Sequence, residues 1–182
     1  MIRKLYPDGK KKAFNVTYDD GILQDVRFVE LLNKYHLKGT FNLNSSLMAT
    51  EFAWQHECGA MVKRLPREVV KELYQGHEVA SHTCSHPYME CLSKEEIIRE
   101  LKEDKERLSE LFESEICGFA LPFSYYNETI KECVKECGFT YGRISEESYS
   151  YAIPNDNFAW KAGIFHLSEQ LPAFVKGFLE SE

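Results

Sequence analysis

The stretch AFNVTYDDG, residues 13–21, joins a β-strand pattern to a turn that carries two carboxylates. Residues 13–18 contain apolar and β-branched side chains, and Asp19, Asp20 and Gly21 are residue types that end a strand. Apolar residues then recur at the spacing of an amphipathic helix that ends by Gly39. They are Ile22, Val26, Val29 and Leu32. A strand followed at once by such a helix predicts that the chain begins an α/β fold here.

The same alternation of strand and helix continues along the chain. Further strands are predicted at residues 40–43, 77–81, 116–121 and 139–143. Further helices are predicted at residues 67–75, after the capping box Ser93-Lys94-Glu95-Glu96, between Asn127 and Gly138, and at residues 171–179. The pattern predicts an α/β fold with a parallel sheet, either open or closed into a barrel.

Length and composition favour one globular domain over residues 1–182. The chain is 43% hydrophobic and carries a formal net charge of −7. An acidic balance argues against nucleic acid or an anionic membrane as the main partner. Nothing in the sequence has the roughly 18 uninterrupted apolar residues of a membrane span.

The cysteines and the first residues together indicate the cellular compartment. There are six of them, but the first residues lack the apolar segment of a secretory signal. We therefore expect a cytoplasmic protein with reduced thiols. Cys133 and Cys137 lie four apart in a helical pattern, which favours a packed helix face.

A second polar cluster, residues 81–87 (SHTCSHP), also follows a predicted strand. The carboxyl ends of parallel strands meet at one edge of a sheet, where active sites are assembled. His82 and His86 can present two imidazoles to one side, and a carboxylate would complete an open three-ligand site for Zn²⁺ or a similar ion. Of two adjacent carboxylates, one can bind the ion while the other serves as general base.

Each cluster alone is weak evidence. Asp-Asp-Gly after a strand is commonly a turn with a helix cap, and paired histidines often cap or fill space. Their occurrence together at two strand ends favours the metal site. Cys84 lies between the histidines and is either a fourth ligand or, more commonly for this residue type, a packed side chain.

The two clusters resemble the first two motifs of polysaccharide deacetylases with the NodB homology domain, a carbohydrate esterase family. Residues 17–21 (TYDDG) are similar to the family's T-F-D-D-G, and residues 81–87 look like its second motif with two histidines four apart. The resemblance implies a distorted, incomplete (β/α) barrel of the seven-stranded type with parallel strands. It implies the metal ligands Asp20, His82 and His86, with Asp19 as the catalytic base.

The resemblance also implies a reaction and a cofactor. The reaction would be hydrolysis of an N-acetyl group, less often an O-acetyl group, on a carbohydrate. Relatives in the wider superfamily open cyclic amides or remove formyl groups. The cofactor would be a divalent metal, Zn²⁺ foremost, with Co²⁺, Ni²⁺ or Mn²⁺ as alternatives.

The third motif departs from the family pattern R-x-P-Y-G. Ala120 stands where the arginine would be, and Phe123 replaces the tyrosine. By analogy the backbone N–H of Phe123 can still donate to the oxyanion. The family's arginine orients the base, and our hypothesis is that Arg143, at the end of the next predicted strand, reaches Asp19 instead. The alternative is a solvated arginine.

In the last third of the chain, residues 156–160 resemble a Trp-bearing segment of the family. Trp160 and Arg143 are accordingly predicted, with Phe123, to contribute to substrate binding. His166 follows an apolar pair much as the family's general acid does; packing or capping is the alternative. The segment after Trp160 is short for the family's last strand and acid.

Two classes of function stay open. The first is a hydrolase acting on a small-molecule or oligosaccharide substrate, by water activated at the metal, with a carbohydrate deacetylase ahead of an enzyme for small cyclic or linear amides. The second is a non-catalytic or weakly active metal-binding relative that serves as a binding protein. The missing arginine and the short C-terminal segment favour the second, and the Asp19, Asp20, His82 and His86 set favours the first.

Overall fold

The computed structural model describes Tyr6, residues 9–56 and residues 58–181. Its strands are β1 (Val16–Asp19), β2 (Gly39–Leu43), β3 (Ala53–Gln55), β4 (Met61–Lys63), β5 (Glu78–Ser81), β6 (Gly118–Ala120), β7 (Tyr141–Glu147) and β8 (Trp160–Ala162). Its helices are α1 (Gln24–Lys34), α2 (Arg67–Leu73), α3 (Lys94–Phe112), α4 (Glu128–Glu136) and α5 (Leu171–Glu180). None of these described helices is long and apolar enough to cross a membrane.

Six strands form one curled sheet in the order β1-β2-β5-β6-β7-β8, and every neighbouring pair is parallel. The sheet makes a half-barrel with helices on its outer side, which confirms the predicted α/β class. The seven-stranded expectation differs by one strand: within the described residues this sheet has six. The short strands β3 and β4 form a separate antiparallel hairpin that the sequence patterns did not predict.

Local sequence signals fix the ends of the longer helices. The Ser93 hydroxyl accepts a hydrogen bond from the Glu96 N–H (3.3 Å), and the Glu96 carboxylate accepts one from the Ser93 N–H (2.8 Å), so the predicted capping box is present. The side chain of Asn127 accepts a hydrogen bond from the Ile130 N–H at 2.9 Å and caps α4. These caps satisfy backbone donors that the first helical turn leaves unpaired.

The two faces of the sheet differ in chemistry because side chains alternate along each strand. In β1 and β2, Tyr18 pairs in register with Phe41, and Asp19 pairs with Asn42. Tyr18 packs against Phe28 of α1, with ring centroids 4.5 Å apart, so this face lies under the helices. Asp19 and Asn42 consequently face the inside of the half-barrel.

The hydrophobic core lies between the sheet and its helices. Residues of α3 and α4 that face the sheet are fully buried, and burial of each such side chain is worth about 1.5–3 kcal/mol. They include Ile97, Leu101, Leu108 and Ile130. All six cysteines are free thiols, and Cys133 and Cys137 are buried in the packed face of α4 and its C-terminal end.

Candidate metal centre and active site

Two loops at the carboxyl edge of the sheet carry the predicted metal ligands. Asp20 follows β1, and its N–H donates to the carbonyl of Asn42 at 2.9 Å. His82 follows β5, and its N–H donates to the carbonyl of Leu43 at 2.9 Å. Both residues are therefore held to the end of β2, the strand between β1 and β5.

Asp20, His82 and His86 come together at this edge. Each offers one ligand atom, and these atoms all lie within 4.8 Å of one another. The Asp20 Oδ1 and His86 Nε2 atoms are 3.7 Å apart. Ligand atoms at bonds of about 2.0–2.1 Å around a tetrahedral ion are about 3.4 Å apart, so small side-chain rotations would complete the site. The three side chains fit a divalent cation.

A ring hydrogen bond orients the His82 imidazole, and a backbone hydrogen bond holds His86. His82 Nδ1 lies 2.8 Å from the carbonyl oxygen of Ala120, to which it can donate, and this leaves Nε2 free as a ligand atom. The backbone N–H of His86 donates to the Thr83 hydroxyl at 3.1 Å, and the His86 backbone has a positive φ of 55°. Burial, helped by the charge of His82, lowers the pKa of His86, which favours the neutral imidazole that binds metals.

Cys84 lies outside this cluster. Its side chain is buried, and the Ser45 hydroxyl contacts its sulfur at 3.6 Å. Burial raises the pKa of the thiol to about 11, so it stays protonated at neutral pH. Of the two alternatives for Cys84, the structure shows the packed residue.

Asp19 lies against Arg143, on the inner face of the sheet. The Arg143 guanidinium contacts Asp19 Oδ1 through Nη2, and the Asn42 amide donates to the same oxygen at 2.7 Å. The Arg143 side chain is only 12% exposed, so it is not the solvated alternative. Burial alone would raise the pKa of Asp19, but the charge of Arg143 and these hydrogen bonds hold it below its ordinary value.

The divergent third motif lies beside the cluster. Ala120 ends β6 and is buried, with its carbonyl against His82. Phe123 has a positive φ of 55°; its ring meets the His86 ring edge-on at 4.5 Å and stacks on Tyr88 at 4.0 Å. These ring contacts hold the Phe123 backbone next to a predicted metal ligand.

Trp160 and His166 lie at different places. Trp160 pairs in register with Arg143, so its side chain leaves β8 on the same inner face, and it is 42% exposed. The His166 ring lies against Tyr18, with centroids 5.4 Å apart. Because Tyr18 points to the face of β1 opposite to Asp19, this position argues against the predicted role of His166 as the general acid.

Sequence reasoning missed two residues that contact the ligands. Arg64, just after β4, donates through Nη1 to the Asp20 carbonyl (2.7 Å) and through Nη2 to Asp20 Oδ1 (2.9 Å). Asn44, just after β2, accepts from Arg64 at 2.6 Å and donates to the carbonyls of His82 and Thr83. Asn42 and Asn44 alternate at the end of the buried strand β2, and such buried amides need hydrogen-bond partners, so this pattern could have indicated a structural role for Asn44. Nothing in the pattern around Arg64 indicated its position.

Comparison with known proteins gives a family match over most of the chain. A family model described as polysaccharide deacetylase matches residues 6–142. A peptidoglycan-N-acetylglucosamine deacetylase of Bacillus cereus is 27% identical over 131 residues, which are 71% of this chain and 54% of that protein. The chain thus spans about half the length of this curated relative.

Solved structures share the fold. The Streptococcus pyogenes deacetylase PplD, in complex with acetate, superimposes with a TM-score of 0.76 at 24% identity, covering 94% of this chain and 72% of that one. A polysaccharide deacetylase from Bacillus cereus gives a TM-score of 0.74 at 18% identity, covering 92% of this chain and 52% of that one. At these identities the likeness shows the fold alone.

Proposed function

The chain belongs to the polysaccharide deacetylase family, and on that premise we propose that it is a metal-dependent hydrolase that removes acetyl groups from a carbohydrate. N-acetyl groups are the foremost substrate, with O-acetyl groups as an alternative. The observation that carries the proposal is the division between two adjacent carboxylates. Asp20 joins His82 and His86, whereas Asp19 lies against Arg143.

Asp20, His82 and His86 would hold the cation, and Zn²⁺ suits two imidazoles and one carboxylate best. Co²⁺, Ni²⁺ and Mn²⁺ are alternatives for the same donors. When bound, such a cation polarises the acetyl carbonyl and lowers the pKa of a nearby water. The buried hydrogen bond from His82 to the Ala120 carbonyl supports a preset ring orientation.

Asp19 is the proposed general base. It stays ionised at neutral pH because Arg143 and Asn42 favour its charged form. It accepts the proton of the attacking water and, since His166 lies at the opposite face of β1, returns that proton to the leaving nitrogen. The backbone N–H of Phe123 donates to the oxygen that gains charge during the attack.

The carbohydrate would be held on the inner face of the half-barrel. Trp160 offers an exposed ring there, on the same face as Arg143, and aromatic rings pack against the apolar faces of sugars. The Bacillus cereus relative is named for peptidoglycan N-acetylglucosamine. We propose only the shared chemistry for this chain, an acetamido sugar, either small or part of an oligosaccharide.

The binding-protein alternative depended on the missing arginine of the third motif and on the short C-terminal segment. Arg143 supplies a guanidinium to Asp19 from the neighbouring strand, which removes the first of these grounds. We therefore favour the enzyme.

The test is release of acetate from an N-acetylated glucosamine tetramer by the purified chain loaded with Zn²⁺. Asp19→Asn should lower the rate by about 10²–10⁴-fold, the contribution of a general base, while retaining the metal. Glu136→Gln is the matched control, because Glu136 is a half-exposed carboxylate that pairs with Lys94 outside the cluster. A metal-loaded wild-type protein that releases no acetate, or an Asp19→Asn variant as active as the control, would refute the proposal.

A further inference from the structure

We propose that Arg64 and Asn44 form a positioning bridge that sets the separation between the two ligand-bearing loops. The inference rests on the metal site proposed above and assigns a role to two residues outside it. The bridge runs from Asp20 through the Arg64 guanidinium and the Asn44 amide to the backbone of His82 and Thr83.

The bridge is continuous. One guanidinium donates to both the carbonyl and the Oδ1 of Asp20, at 2.7 Å and 2.9 Å, and to Asn44 Oδ1 at 2.6 Å. The Asn44 amide nitrogen then donates to the His82 carbonyl and, at 3.0 Å, to the Thr83 carbonyl. Every step between Asp20 and the histidine loop is therefore a direct hydrogen bond.

Both side chains of the bridge are buried, which restricts their arrangement. Arg64 is 6% exposed and Asn44 is 1% exposed, and the guanidinium carbon lies 5.4 Å from the centre of the Trp54 ring. Buried polar groups without partners are costly, so these two side chains have few other arrangements open to them. A shift of either ligand loop would break hydrogen bonds made by these two buried side chains.

The loops have a second anchor that does not touch Asp20. Asp104 of α3 accepts hydrogen bonds from the Ser45 N–H (2.7 Å) and the Ser81 hydroxyl (2.6 Å). This carboxylate ties the ends of β2 and β5 to the helix layer. Removing the Arg64–Asn44 bridge should therefore change where Asp20 sits relative to His82 without unfolding the sheet.

The charge of Arg64 and its geometry can be separated by substitution. The cation beside Asp20 opposes metal binding by repulsion, whereas its fork of donors favours binding by holding the carboxylate in place. Arg64→Lys keeps the charge but cannot donate to Asp20 and Asn44 in the same planar arrangement. Weaker binding in this variant would report geometry.

The experiment measures the Zn²⁺ dissociation constant of Arg64→Lys, Asn44→Ala and the double variant by competition with a chromophoric chelator. Each single variant should bind about 10–100-fold more weakly, as for other residues that orient metal ligands. The double variant should lose no more than the worse single variant, because both changes break one bridge. Arg67→Lys, at an exposed arginine of α2, is the matched control and should bind like wild type.

A second readout separates positioning from folding. The visible absorption of the Co²⁺-loaded protein reports ligand geometry, and it should change in Arg64→Lys under conditions in which circular dichroism shows that the metal-free variant is folded. If Arg64→Lys does not fold, Asn44→Ala decides in the same two measurements.

Two results would overturn the proposed bridge. One is Zn²⁺ binding within twofold of wild type in a folded variant. The other is tighter binding, which would mean that Arg64 affects the metal through its charge and not through its geometry. Wild-type protein that binds no Zn²⁺ would instead refute the proposed function. The two failures are thus distinguishable.

Discussion

Replacement of Arg143 by methionine tests whether this residue keeps the proposed base ionised. Methionine has a similar length but no charge and no donor. In the variant, Asp19 Oδ1 keeps the hydrogen bond from Asn42 and loses the guanidinium. Burial raises the pKa of Asp19, and in the variant fewer favourable interactions of the charged carboxylate oppose this effect. We expect the pKa of Asp19 to be higher in the variant than in wild type.

The contact sets the size of this shift. Two unit charges about 4 Å apart interact by ~4 kcal/mol at an effective dielectric constant of ~20. This interaction energy is the upper bound on how much Arg143 favours the charged form of Asp19. The Asp19 side chain is 32% exposed, and solvent screens part of the interaction. We expect the loss to be smaller than this bound, and the pKa of Asp19 to rise relative to wild type.

The assay is an NMR titration of the aspartate side-chain carboxyl carbons in metal-free protein, with the Asp19 signal assigned by its loss in Asp19→Asn. Metal-free protein avoids the loss of metal that protonated histidines would cause at low pH. In the Zn²⁺-loaded enzyme, kcat/KM of Arg143→Met should fall relative to wild type as pH decreases, since a base with a higher pKa is protonated at higher pH.

The control is Lys161→Met, which removes an exposed ion pair with Glu146 on the neighbouring strand and should leave the Asp19 titration unchanged. An Asp19 midpoint in Arg143→Met that equals wild type would refute the reasoning. So would a ratio of variant to wild-type kcat/KM that is the same at every pH.

Two further predictions concern a buried carboxyl and a histidine. Burial raises the pKa of Asp25 to about 6 from 3.8, so the folded protein holds this proton more tightly than the unfolded chain. This contribution to stability is present below pH 4 and is lost as the pH rises through 6. Asp25→Asn should therefore gain up to about 3 kcal/mol in free energy of unfolding relative to wild type between pH 4 and pH 7, measured by urea denaturation; a difference that does not change with pH would contradict this. His166→Ala should keep kcat within about threefold of wild type, like the control His36→Asn, because its ring lies on the helix side of β1; a loss of about 10²-fold or more would restore His166 as the general acid.

The parts of the fold that sequence could predict depend on local signals. The capping box at Ser93 and the Asn127 cap are short-range chemistry, and both are present. The alternation of strands and helices predicts a parallel sheet whose carboxyl edge gathers side chains. That rule alone brings Asp20 and His82 together, and it also motivated the hypothesis that Arg143 reaches Asp19.

The missed parts depend on tertiary packing. Strands β3, β4 and β8 have three residues each, too few for a period of two to stand out from the surrounding chain. Arg64 reaches Asp20 only because the β3–β4 hairpin lies against the start of α1, where the Leu23 N–H donates to the Lys63 carbonyl at 2.9 Å.

His166 shows the limit for loops. Its place after an apolar pair looked like that of a strand-borne acid. The chain after β8 instead brings the ring to Tyr18 of β1, at the other edge of the sheet. Which face of the edge strand a loop reaches depends on packing that no spacing rule describes.

The most direct test of the metal centre is anomalous diffraction at the zinc edge from crystals of Zn²⁺-loaded protein. We predict one strong peak within about 2.0–2.2 Å of an Asp20 oxygen, His82 Nε2 and a ring nitrogen of His86. A map with no peak at these three side chains, or with the zinc bound elsewhere on the chain, would contradict the account.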